Sequence, residues 1–296
     1  MRNARIILFI FPLTLAILAC GLGGAPAPST DNVATVVAST IQALTPLAPE
    51  ATATAAAPQG ISVSFQNVSF TLPVGLASDA APSTIPAQTD DNGGPWGAGP
   101  EHIEFRLDNY NVPAHSFGVI QISVYPAQAY ANANTGANIS LQRLQGVLSN
   151  PSASMTRESL PQVPSFNAAA MITAQAQRVD FQNGHGLRLI SQYGQAAGPI
   201  SNNGTFYNFQ GLTNDGKYYI IAVLPVQAPF LENGDDPNAP LPTGGIPFPG
   251  YQSIDTKAFE DYYQAVTDKL NSTPPDQFSP SLSVLDGLMQ SLQVNP

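Results

Sequence analysis

The chain is short of charge. Asp, Glu, Lys and Arg supply 10% of its 296 residues, where an average soluble protein has about 25%. Cations are the scarcer sign, ten Lys and Arg against 20 Asp and Glu, and so acidic a chain repels phosphate backbones, which excludes nucleic acid as a partner. Cysteine occurs once, at Cys20. That rules out an intrachain disulfide framework and any cysteine-built zinc cluster. Histidine and lysine occur three times each, so the usual general bases and amine nucleophiles are few. Gly-x-Ser-x-Gly, His-Glu-x-x-His, the phosphate-cradling glycine loop and the dinucleotide fingerprint are all missing. No cofactor and no metal is expected, and no residue is assigned a catalytic role. What the chain has is apolar material, 43% of its residues, enough for a core, together with 28 Pro and 24 Gly that demand long irregular loops.

The N-terminus reads as an address. Arg2 and Arg5 precede an uncharged, mostly apolar run from Ile6 to Leu18. These 13 residues fall short of the roughly 20 that a spanning helix needs. The run ends at Ile17-Leu18-Ala19-Cys20-Gly21, which resembles the lipobox of bacterial lipoproteins. The resemblance implies that residues 1–19 are a signal, that Ala19 is the small residue before the cut, and that the Cys20 sulfur carries a diacylglycerol. Leu18 departs from the pattern, which usually has a smaller residue there. Two acyl chains, at about 0.8 kcal/mol per buried methylene, anchor lastingly where one does not. Removal of the signal leaves eight basic against 20 acidic residues, a formal charge of −12. Such a domain gains nothing from an anionic lipid surface, so the lipid holds it at the membrane.

From Gly21 to Gly60 the composition changes: 22 of 40 residues are Ala, Thr or Pro, none is aromatic, and only Asp31 and Glu50 are charged. Such a segment buries too little to offset its ordering entropy. As a coil it spans roughly 35 Å, a tether that lets a domain stand clear of the membrane and reorient.

The folded domain is expected over 61–296. Ile61–Phe65 and Val68–Pro73 alternate apolar with polar, as half-buried strands do. Val74–Pro100 reads as a loop, Ile103–Leu107 and Phe117–Tyr125 as strands, and Ile139–Leu148 as a helix with Leu141, Leu144, Val147 and Leu148 on one stripe. Ile172–Phe181 and Leu187–Tyr193 are paired across Asn183-Gly184. Phe206–Thr213 and Lys217–Leu224 are paired across Asn214-Asp215-Gly216. The run Tyr218–Leu224 is apolar at every position, the mark of a central strand covered on both faces. After the loop Pro225–Ser253, a helix capped by Asp255 or Thr256 carries Phe259, Tyr262, Tyr263, Val266 and Leu270 on one side. A last helix, capped by Ser279 with Pro280 first in it, carries Leu282, Leu285, Leu288, Met289 and Leu292. Hairpins followed by late helices give an α+β fold, an antiparallel sheet with helices packed on it, in one domain after a lipoprotein tether.

Phe181-Gln-Asn-Gly-His-Gly-Leu-Arg188, Tyr207-Asn-Phe-Gln-Gly-Leu-Thr-Asn-Asp-Gly-Lys-Tyr-Tyr219 and a closing helix ending at Ser291-Leu292 resemble uncharacterised bacterial lipoproteins. The order of elements over 61–296 is similar to the PsbP-like α/β sandwiches. That resemblance implies an accessory or binding role and no catalytic residues.

Candidate sites are few. His102 and Glu104 are two apart, so a strand puts them on one face; an exposed His–carboxylate pair is the plain reading, and a metal seed the sharper one. His185 reads as a turn residue. Asp90-Asp91-Asn92-Gly93 and Glu232–Asp236 have the oxygens for calcium but not the EF-hand spacing, so both read as solvated turns. Trp96, the only tryptophan, either pins its Gly/Pro-rich loop to the domain or presents its ring to a ligand, beside Phe248 and Tyr251 in the other such loop. Two functions remain: a membrane-anchored extracytoplasmic lipoprotein whose non-catalytic domain binds an envelope protein or small ligand, and a lipid-anchored hydrolase of unrecognised type, since catalytic triads converge in space rather than in sequence. The anchor is testable. Cys20→Ala should leave the membrane fraction for the soluble fraction, or stall as uncleaved precursor; mature Cys20→Ala that stays with membranes after a carbonate wash contradicts it.

Overall fold

The computed structural model describes residues 60–89, 97–112, 115–116, 120–150, 152, 155–164, 166–252 and 256–296. Through them run β1 (Gly60–Phe65), β2 (Val68–Pro73), β3 (Asp79–Ile85), β4 (His102–Asp108), β5 (Gln121–Pro126), α1 (Ala127–Ala133), α2 (Thr135–Ser149), β6 (Ala169–Phe181), β7 (Gly184–Gly194), β8 (Phe206–Thr213), β9 (Tyr218–Pro225), α3 (Thr256–Ser272), α4 (Leu282–Gln290) and β10 (Gln293–Val294). Seven strands form one sheet in the order β3-β4-β5-β9-β8-β7-β6, and β1-β2-β10 form a second. All the pairings are antiparallel. The fold is α+β.

The apolar run of β9 lies fourth of the seven strands, as its composition requires. Its side chains alternate between two separate cores. Ile220, Ala222 and Leu224 join one with Phe105, Ile122, Ile190, Tyr207 and Phe209, covered by the small sheet, α3 and α4. Tyr219, Ile221 and Val223 join the other with Leu187, Leu189 and Phe206, covered by α1 and α2. The large sheet is therefore the middle of three layers. Leu141, Leu144 and Val147 of the α2 stripe are buried as expected, and so are Leu282, Leu285, Leu288, Met289 and Leu292 at the C-terminus.

Two glycine pairs explain the Gly184-His185-Gly186 motif. Gly184 faces Phe181 across the hairpin, and Gly186 faces Gly211 of β8. A Cβ on Gly184 would stand 2.1 Å from the Phe181 ring, and one on Gly186 would stand 2.3 Å from the Phe209 ring. The two aromatic rings lie where side chains would otherwise be, edge to face at 6.3 Å.

A polar network crosses the first core. Arg188, on β7, is fully buried. Its Nη1 donates to Gln175 Oε1 at 3.3 Å and its Nη2 to Gln177 Oε1. Its Nε lies 3.4 Å from Asp286 Oδ1 of α4, an ion pair without hydrogen-bond alignment. The Tyr207 hydroxyl donates to the same carboxylate oxygen at 2.9 Å. Gln175 occupies a bulge in β6, with φ +54°. The bulge turns its side chain onto the last turn of α3, where Nε2 donates to the carbonyls of Leu270 (2.7 Å) and Thr273 (2.8 Å). Helix-terminal carbonyls need such donors.

Four local expectations are corrected. Within the loop expected over Val74–Pro100 lies β3, an edge strand paired only with β4. It carries Pro82 and small residues that hide the strand period, and an edge tolerates proline because one row of its backbone groups needs no partner. A helix, α1, intervenes between Tyr125 and α2. Its Ala-rich sequence favours helix by propensity while Tyr130 alone supplies a large buried ring, so no stripe announces it. The β6–β7 turn is Gln182-Asn183 rather than Asn183-Gly184. Gly184 is needed inside the strand under Phe181, and the Asn183 amide instead exchanges hydrogen bonds with the Val294 backbone. Finally, Ser281 and not Ser279 caps α4, accepting from Val284 N at 3.2 Å. The Ser279 backbone is held extended by a two-way bridge to Gln227, so Pro280 stands before the cap. Asp255, the other proposed cap for α3, lies outside the described residues, and Thr256 is the first residue of that helix.

Leu285 sits at the centre of the α4 stripe with no exposed surface. Leu285→Asp should therefore lower stability by about 4 kcal/mol or more, the cost of an unpaired buried carboxylate. Chemical denaturation measures it, and an unchanged midpoint would mean that α4 is not docked.

Candidate functional site

The pair noticed in the sequence, His102 and Glu104, lies on β4 on the face that α1 and α2 cover. It is not an exposed ion pair. Both side chains line a cavity of about 230 Å³ together with Tyr125, Tyr130 and the segment 97–100. β5 brings Tyr125 beside them, because Ile103 pairs with Val124 and the next side chains along each strand share the opposite face. Tyr130 follows from the first turn of α1. The three rings form one stack: His102 on Tyr125 with centroids 4.2 Å apart, Tyr125 on Tyr130 at 4.1 Å.

The roof is a strap of backbone. Gln88 and Gly99 exchange two hydrogen bonds, at 2.9 and 3.0 Å. The strap is tied to the helices by Asn134, whose Nδ2 donates to the Ala98 carbonyl at 3.1 Å while its Oδ1 accepts from Ala137 N and caps α2. Gly99 runs beside the Tyr130 ring, where a Cβ would stand in ordinary contact, 3.5 Å from Cε2.

Burial sets the charge states. It pushes the Glu104 carboxyl above its ordinary value of 4.5, opposed only in part by Arg106. The Arg106 guanidinium is itself engaged by Asp108 at 2.8 Å. Among the described residues no donor serves the Glu104 carboxylate. Burial lowers His102 below 6.5, against a hydrogen bond to Pro100 O that favours the charged form. A carbonyl can only accept, so the neutral ring carries its proton on Nδ1, 3.0 Å from Pro100 O, and leaves Nε2 as an acceptor. Burial pushes Tyr125 up to about 12, with hydrogen bonds from Ser123 and Tyr130 working the other way. Tyr130 is raised as well, by burial first and then by Tyr125. At neutral pH the cavity thus presents one carboxylate, one imidazole acceptor, uncharged phenols and, among its described lining residues, no cation.

The aromatic residues of the second loop are also brought together. Phe248 meets Tyr251 at 5.3 Å, Phe259 at 5.6 Å and Tyr262 at 5.3 Å. The Tyr262 hydroxyl accepts from Ile200 N at 2.8 Å, and that of Tyr263 accepts from Gly198 N at 2.9 Å. These rings close the loop and the segment 198–200 onto α3 around a smaller cavity of about 150 Å³. Tyr251 alone remains open, 60% exposed. Trp96 and Cys20 lie outside the described residues, although Trp96 directly precedes Gly97 of the strap.

In the acidic loop Glu232–Asp236 the side chains serve the loop itself. Asp235 accepts from Ser201 Oγ at 2.5 Å and from Asn203 Nδ2 at 2.8 Å. The other acidic loop, 90–93, lies outside the described residues. His185 pairs with Asp180 at 2.7 Å on the open β6–β7 hairpin. Among the described residues no three His, Cys, Asp or Glu side chains gather as metal ligands, and no helix is long and apolar enough to cross a membrane. Comparison with protein-family models, with curated proteins and with solved structures finds no match for the chain.

Sequence spacing pointed to His102 and Glu104. Nothing in it pointed to Tyr125 and Tyr130, because a tyrosine at the end of an apolar strand and one in an alanine run look like core. A pH experiment tests the electrostatics. Glu104 is harder to ionise folded than unfolded, so the folded state holds more protons above pH 4.5 and stability falls as pH rises through the raised value. Glu104→Gln removes that loss. The melting temperature of the variant minus that of the parent should be near zero in acid, increase above pH 4.5, and then level off. A difference that does not change with pH would mean that Glu104 is solvated.

Proposed function

We propose that this chain is an extracytoplasmic lipoprotein, anchored through acyl chains on Cys20, whose domain binds a small ligand in the cavity of His102, Glu104, Tyr125 and Tyr130. The charged start, the short apolar run and Ala19-Cys20 support the anchor, and the Ala/Thr/Pro-rich stretch after it suits a tether. The observation that carries the binding role is the Glu104 carboxylate, half-buried in the lining of a cavity with no donor among the described residues. A partly desolvated carboxylate gains from a ligand that donates to it. Stacked rings and a few polar groups that converge in a concave space are the usual make-up of a small-molecule site.

A small ligand is favoured over an envelope protein because the polar groups line a cavity of about 230 Å³ rather than a flat surface. Fragment binding to the full-length protein in non-ionic micelles tests this, read from the ring NMR signals of Tyr125, Tyr130 and Tyr251. The expected result is a set of fragments that shifts Tyr125 and Tyr130 and leaves Tyr251 unmoved. Fragments that shift Tyr251 instead would transfer the role to the Phe248 cluster, and a panel that moves none of the three would remove it.

A further inference from the structure

We infer that the ligand of this cavity is a small organic cation bearing N–H donors, an alkylammonium or alkylguanidinium, held by the Glu104 carboxylate and His102 Nε2 against the ring stack; the inference rests on the binding role proposed above. The acceptors come first. Glu104 has no donor among the described residues, and Arg106, two residues along the same strand face, already holds Asp108. His102 uses Nδ1 on the Pro100 carbonyl, so the nitrogen left over accepts. Two acceptors that line one cavity, one of them charged, call for a ligand that donates, and a guanidinium or ammonium does so with charge assistance.

The walls set the size. Tyr125 lies between His102 and Tyr130, and Tyr130 packs in turn beside Tyr219 at 6.3 Å, so the stack presents little open ring face beyond that of His102. The cavity, about 230 Å³, is below the size usual for drug-like ligands, so the cation is small, a head group with a short chain. The chain without its signal, with a formal charge of −12, adds a long-range field that draws cations and turns anions away.

The test is calorimetric titration of the full-length protein in non-ionic micelles with n-butylammonium and n-butylguanidinium, against 1-butanol as the neutral and butyrate as the anionic probe. Both cations should bind, and butanol should bind about tenfold more weakly or worse. Tetramethylammonium, which has charge but no N–H, should also be the weaker. Glu104→Gln should reduce the affinity for both cations by about tenfold or more while its melting curve stays cooperative. Added salt should weaken cation binding in the parent protein, a measurement that holds even if the variant fails to fold. Butanol or butyrate binding as well as the cations, with shifts at Tyr125 and Tyr130, would overturn the ligand class and leave the cavity as a binding site. Binding of calcium or zinc alone, lost in Glu104→Gln, would overturn it in favour of a metal. No binding by any probe, with fragments equally silent, would overturn the binding role as well.

Discussion

Arg188 is the interaction on which the architecture turns. A guanidinium stays charged at any pH a protein survives, and burying it costs several kcal/mol unless its donors and charge are met. It has no exposed surface, so every group that meets it must be held in place. Those groups come from three elements: Gln175 and Gln177 from β6, Asp286 from α4, and Tyr207 from β8 through the shared carboxylate. The bulge that aims Gln175 at Arg188 also places its amide on the end of α3. One buried cation thus ties both C-terminal helices and the edge strand to the centre of the sheet. Apolar packing supplies the stability there; the network closes the end of α3 through Gln175 and meets α4 at its middle through Asp286.

The two faces of the large sheet have consequently different roles. On the face of α3, α4 and the small sheet, the polar groups are directed inward at one another, and the Phe181 and Phe209 rings cover glycine where side chains would stand. On the other face the two short helices cover only part of the sheet, and the strands toward β3 are roofed by a strap held through Asn134 and the Gln88–Gly99 bridge. The carboxylate that lines the cavity with the strap is partly desolvated and has no donor among the described residues. The candidate site therefore lies at the β3–β4 side of the sheet, remote in the strand order from the β6 bulge that serves the helices.

Much of this was legible in the amino-acid order. The all-apolar stretch Tyr218–Leu224 marked the central strand, and alternation marked β1, β2 and β4. The Leu stripe marked α4, and the His102-Glu104 spacing put both side chains on one face of β4, although spacing alone reads them as an exposed pair and not as part of a cavity lining. The misreadings share a cause. β3 has one strand neighbour and so shows no two-sided pattern; α1 has a single large ring and so shows no stripe. Asn183 and Ser279 follow good local rules for a turn and a cap, but partners distant in sequence, Val294 and Gln227, take their polar groups and shift both boundaries.

By itself the sequence determined the fold class and the order of most elements, because burial on one face imprints a period of two or 3.6 on neighbouring residues. It also carries the grounds for the proposed anchor, since a charged start, a short apolar run and a lone cysteine are all local. Only the tertiary structure decided that His102, Tyr125 and Tyr130 form one stack, that Glu104 has no donor among the described residues, and that a lone arginine sits in the core with its partners around it. Those facts depend on which distant residues share a face and on what covers it. No local period records that, because an aromatic or charged side chain has the same sequence neighbours whether it fills a core, lines a cavity or stands in water.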